Sequence, residues 1–136
     1  MPTARRPTPP RDEGSASIEL VILFPALLLL VTALVQYGLW FHASSVALAA
    51  AQDGVAAART HNAALDDGRI AALAFVNSSG GDTLLGATAS ASAPSVAQVQ
   101  VVVSGRSLSV VPGMTGPAVS KSAAGPVERF VPDGQP

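Results

Sequence analysis

The chain has 136 residues, enough for one small domain and a membrane span. Charged residues make up 12%, about half the share usual in soluble domains, and the net charge of −1 excludes a broad electrostatic attraction to nucleic acid. The absence of cysteine excludes disulfides, thiolate metal sites and cysteine nucleophiles, and aromatics at 4% leave only a small, lightly packed soluble core.

Residues 1–13, "MPTARRPTPPRDE", carry four prolines and three arginines. Proline lacks the donor that helices and sheets need, so this segment reads as a leader without regular structure. From Leu20 to Gln52 there is no formally charged residue. Leu20 to Phe41 would run roughly 33 Å as a helix, close to the hydrocarbon thickness of a bilayer. Tyr37, Trp40 and Phe41 cluster at its far end, where an aromatic belt at the membrane interface belongs. Arg5, Arg6 and Arg11 flank the near end, which predicts a cytoplasmic N-terminus and an extracytoplasmic C-terminal domain. The run is too long for the apolar core of a cleaved secretory signal, and it exceeds most core helices.

The helix is expected to continue past the membrane and fray near Thr60–Asn62. Leu34, Phe41, Leu48 and Val55 recur every seven residues, with Tyr37, Ser44, Ala51 and Ala58 between them. That heptad stripe predicts packing against the protein's own domain, or against a partner helix. Gly54 weakens the helix by about 1 kcal/mol relative to Ala. A short second helix follows in "DDGRIAALAFVNSSGG". Asp66 or Asp67 would cap its start, Gly80 would end it in the left-handed conformation, and Ile70, Leu73, Ala74 and Asn77 would share its apolar face. The period then changes to two. "ATASAS" (87–92) alternates small apolar and hydroxyl residues. "VAQVQVVVS" (96–104) puts Ala97, Val99, Val101 and Val103 on one face, with a hairpin turn at Pro94-Ser95. Pro112-Gly113 and Gly116-Pro117 bracket a loop, and "AVSKSAA" (118–124) is a third strand. The fold class is therefore α+β: a long N-terminal transmembrane helix, a short second helix and a two- to three-stranded antiparallel sheet. The expected divisions are 1–14, a leader; 15–62, the span and its extension; 63–125, a small extracytoplasmic domain; and 126–136, a tail.

No catalytic constellation is visible, and no enzyme activity, cofactor or metal is expected. His42 lies beside the aromatic cluster and His61 at a helix end, where interfacial and dipole roles are the default. Asp66-Asp67 is explained by capping without a cation. Ser15 and Ser17 have no neighbouring base. The residue that stands out is Glu19, a carboxylate at the edge of hydrocarbon, where the cost of desolvation makes ionisable groups functional by default.

The stretch "GSASIELVILFP" resembles the start of class III signal-peptide substrates, the type IV pilin-like proteins, and most closely the TadE-like pseudopilins of tight-adherence pilus systems. The resemblance implies cleavage by a prepilin peptidase between Gly14 and Ser15. It places Glu19 at the fifth mature position and Pro25 at the eleventh, both as assembly residues. The leader departs from the simplest basic pattern at Asp12 and Glu13. The implied role is a non-enzymatic minor pilin or pseudopilin whose partners are the peptidase, other pilin-like subunits and the assembly platform, with no nucleic acid. It would reside in the cell membrane, or outside the cell within a pilus. The alternative is an unprocessed single-pass protein whose outer domain binds a partner or the cell wall.

Overall fold

The computed structural model describes residues 13–60 and 62–127. The proline-rich leader with its three arginines, His61 and the tail beyond Val127 lie outside the described residues. The elements run α1 (Glu13–Ala58), α2 (Leu65–Ser79), β1 (Leu84–Ser95), β2 (Gln98–Ser107) and β3 (Ala118–Pro126). The architecture is α+β, and the chain divides into two units, residues 1–34 and 35–136.

In the first unit, α1 is an unbroken helix that contains Pro25. Proline removes one intrahelical hydrogen bond, yet a chain of good helix formers on both sides keeps the ladder going. The large apolar side chains from Ile18 to Leu34 are all exposed, from 48% at Val31 to 72% at Val21. Thr32 satisfies its hydroxyl internally by donating to the Leu28 carbonyl at 2.8 Å. A helix this long, with apolar residues all round and none of them buried among the described residues, is a candidate membrane span by length and composition.

In the second unit the remainder of α1 becomes a core element. Its buried residues are Ala43, Ser44, Val46, Ala47, Ala50, Ala51, Gly54, Val55 and Ala58. The expected heptad stripe is only half right. Ser44, Ala51, Val55 and Ala58 are buried, but Leu34, Tyr37, Phe41 and Leu48 are exposed. The buried face follows the small residues, because only they let neighbouring backbones approach.

Helix α2 begins at the N-cap Ala64, and Asp67 rather than either aspartate as N-cap secures it. The Asp67 carboxylate accepts the Ala64 N–H at 2.8 Å, which is the reaching-back half of a capping box; alanine offers no side-chain acceptor for the other half. Arg69 Nε donates to Asp66 at 2.6 Å, and this bond holds the exposed Asp66 carboxyl below its ordinary range. The buried face is Gly68, Ala72 and Val76, not the face of Ile70, Leu73, Ala74 and Asn77. Gly80 ends the helix at φ −161°, extended rather than left-handed, with its N–H on the Val76 carbonyl at 2.8 Å. What makes glycine suit that position is Val46, which occupies the space of a β-carbon.

The three strands form one antiparallel sheet in the order β1-β2-β3. The hairpin turn falls at Val96-Ala97, two residues later than Pro94-Ser95, so Ala97 leaves the apolar face. Val99, Val101 and Val103 of the central strand are buried, with Val119 beside them and Ala87, Ala89, Ala91 and Ala123 packed at the margin. The opposite face is lined by hydroxyls, and Ser104 and Ser120 bond across the β2–β3 pair at 3.0 Å.

Two glycines set the helix–helix distance. A β-carbon on Gly54 would lie 2.6 Å from the Gly68 carbonyl oxygen and 3.0 Å from Val101 Cγ1. One on Gly68 would lie 2.7 Å from Ala58 Cβ and 2.8 Å from the Gly54 carbonyl oxygen. Gly54 therefore weakens the isolated helix while allowing α2 and β2 to close on it. We predict opposite signs for two alanine substitutions in α1. Gly54→Ala should lower stability by about 1–3 kcal/mol through overpacking, despite its better helix propensity. Gly38→Ala, with nothing within 4 Å of its β-carbon, should be neutral or stabilise by up to about 1 kcal/mol. Thermal unfolding of the full chain in mild detergent, read from the single tryptophan, distinguishes them; equal effects would contradict the close crossing.

Candidate functional site

Helix α1 carries two groups of residues that bear on function. The first is its beginning. Gly14 and Ser15 fall within the first turn, since α1 starts at Glu13. The N–H groups of a first turn have no intrahelical partner, so this turn opens at little cost. Glu19 follows on the same helix and is exposed, between the exposed Ile18 and Leu20. Pro25 lies further along the apolar run, and Pro25's missing donor leaves one backbone carbonyl, that of Val21, without its usual helical partner.

The second group is where α1 begins to hold the sheet. Gln36 is the first polar side chain after Thr32. Its Nε2 donates to the Leu108 carbonyl at 2.9 Å, and its Oε1 accepts the Val110 N–H at 2.9 Å. One side-chain amide thus pairs with the backbone of the β2–β3 loop as a neighbouring strand would. One helical turn later, Trp40 Nε1 donates to the Ala118 carbonyl at 3.2 Å, and Lys121 Nζ lies 5.9 Å above the indole ring. Tyr37 and Phe41 stay exposed, their rings 6.4 Å apart, and Tyr37 also lies 6.0 Å from Trp40. Of the three aromatics expected together at the interface, Trp40 has its polar edge engaged by β3. Ser44 is buried below them with no partner for its hydroxyl.

Gln36 was not singled out by sequence reasoning. The available signal was a lone amide at the end of an apolar run, which could equally have been a surface residue. Among the described residues no three His, Cys, Asp or Glu side chains come together as a metal site. His42 is exposed.

Gln36→Leu removes both bonds to the loop while keeping the apolar character of the helix. The net loss should be about 1–3 kcal/mol, and the Val110 amide should exchange about tenfold faster or more. Unchanged protection of Val110 would mean that the loop holds itself.

Two comparisons return nothing: no curated protein and no solved structure matches the chain. The family model described as TadE-like protein matches residues 14–56, starting at the glycine before Ser15 and ending just beyond the Gly54 crossing. Over α1, from Gly14 to Ala56, this chain is similar to the TadE-like family.

Proposed function

We propose that the chain is a minor pilin or pseudopilin of a tight-adherence type pilus or a related secretion system, cleaved by a prepilin peptidase and acting by assembly. The observation that carries this reading is one continuous helix. It holds a glycine in its first turn, a carboxylate at the edge of a wholly exposed apolar run, and a matched TadE-like segment along that same run. Each part has a physical task. Gly14 lets the backbone enter a tight peptidase site without a side chain to clash. Cleavage leaves a new ammonium on Ser15 near the membrane surface. Glu19 pairs with the ammonium of a neighbouring subunit as helices stack, which offsets the desolvation of both. The exposed apolar face supplies the packing, with the N-terminus cytoplasmic and residues 36–127 extracytoplasmic.

Gly14→Val should block maturation, because a branched side chain obstructs the cut. A gel mobility comparison with wild type reads this directly, and normal processing would place the cut elsewhere.

Glu19→Gln should insert and be cleaved as wild type while assembly fails. Insertion depends on the apolar run, which the change does not touch. Removing one partner of a buried ion pair costs about 3–5 kcal/mol, because the other charge is stranded. That corresponds to a loss of assembly of a hundredfold or more by about 1.4 kcal/mol per decade. The experiment compares processed protein in the membrane with pili or partner-bound protein. Wild-type assembly by the variant would reduce Glu19 to an interfacial residue, and failure of cleavage would assign it to peptidase recognition.

A further inference from the structure

The β2–β3 connection, residues 108–117, has an unusual surface. Leu108, Val110, Val111 and Met114 are all exposed, Met114 at 65%. From Ser107 to Ser120 there is no charged residue. The loop is nonetheless ordered. Pro112 and Gly113 occupy the central positions of a tight turn closed by the Met114 N–H on the Val111 carbonyl at 3.2 Å. Gly113 has φ +79°, the left-handed value that the second central position of a type II turn requires. Ser109 and Val111 exchange bonds within the loop at 3.2 Å, and Arg106 Nη1 donates to the Gly116 carbonyl at 3.1 Å. A shaped, uncharged loop that displays four large apolar side chains needs an apolar environment.

We propose that this loop is a second membrane contact, inserted into the headgroup–acyl boundary of the same bilayer that α1 spans. The inference rests on the reading of the apolar run of α1 as a membrane span. What assigns the occupant is the Gln36 clamp. Gln36 directly follows Val35, the last residue of the exposed apolar run, and it holds Leu108 and Val110 through both ends of its amide. Ile18 to Val35 measures about 27 Å as a helix, close to the roughly 30 Å of hydrocarbon. A loop bonded to the next residue therefore lies at the depth where hydrocarbon gives way to headgroups. The apolar side chains suit the inner side of that boundary. Trp40, Lys121 and Arg106, at the base of the loop, suit the outer side, where an amphipathic ring and long cationic side chains meet lipid phosphates. Exposure alone does not produce this assignment. Val96 is 87% exposed at the β1–β2 turn, but it lies at the other end of β2 from Ser107 and away from the Gln36 clamp.

The consequence is that residues 36–127 are held against the bilayer at a second point besides the helix, and extraction into a filament must free the loop as well as the span. Because the chain has no native cysteine, single-cysteine variants give one label each. The full chain carrying an environment-sensitive fluorophore at Leu28→Cys, Met114→Cys or Val96→Cys is reconstituted into phosphatidylcholine–phosphatidylglycerol vesicles. Doxyl lipids that quench at shallow or deep positions then report depth. Expected are quenching of the Leu28 label by deep quenchers, a blue shift and loss of fluorescence of the Met114 label with shallow quenchers, and bulk-water behaviour of the Val96 label. A quenched Leu28 label with a Met114 label as wet as that at Val96 would overturn the loop contact while leaving the span intact. An unquenched Leu28 label would overturn the span and the loop contact together. A dry Met114 label that lipids do not quench, but that cross-links between copies, would assign the loop to a second copy and overturn the proposal.

Discussion

The unit formed by residues 35–136 depends on how closely α2 and the sheet approach α1, and that closeness is set by side chains of one carbon or none. Gly54 and Gly68 face each other with room for neither β-carbon. Ala43, Ala47, Ala50 and Ala51 extend the same smooth face, and the largest fully buried side chains are only Leu84, Val76, Val101 and Val103. Such a core gains little per residue from apolar burial, since alanine removes little surface from water. It compensates by bringing backbones together, where many weak dispersion contacts add up. The valines of β2 then fill the space that the two helices leave.

This packing gives α1 two surfaces of different kind along one backbone. From Ile18 to Val35 its large side chains face outward and none of the described residues covers them. From Gln36 onward two of its side chains, Gln36 and Trp40, bond to the loop and to β3, and its small residues face the core. The helix runs through Pro25 without ending, as hydrocarbon would require, since there the backbone can satisfy its polar groups only within the helix. Beyond the exposed apolar run the helix is held by tertiary contacts, and glycine at position 54 becomes useful instead of costly.

Much of this was readable from the residues. The charge-free run marks the long helix, the change from period 3.6 to period 2 at Ala87 separates α2 from the sheet, three residues inside the start of β1 at Leu84, and the Val99–Val101–Val103 alternation identifies the buried face of β2. The errors share one cause. The heptad reading weighted Leu34, Phe41 and Leu48 by their hydrophobicity, and the α2 reading weighted Ile70 and Leu73 in the same way. In a core built on close backbone approach, small size decides burial, and the large residues are turned aside. The turn at Val96-Ala97 was misplaced because Pro94 is a strong turn signal, yet β1 is an edge strand that tolerates a proline. The Gln36 clamp spans 74 residues to Val110, and no local pattern encodes such a contact. The spacing of Gly14, Glu19 and Pro25 lies within one stretch of α1 and can be read without any tertiary contact.

The central claim is that the first turn of α1 is a processing site that generates the charge Glu19 is there to meet. Its most direct test is N-terminal sequencing of the protein recovered from membranes of cells with an active prepilin peptidase. The account predicts a chain beginning at Ser15. Recovery of a chain that still begins at Met1 or Pro2 would contradict it and leave the protein an unprocessed single-pass anchor.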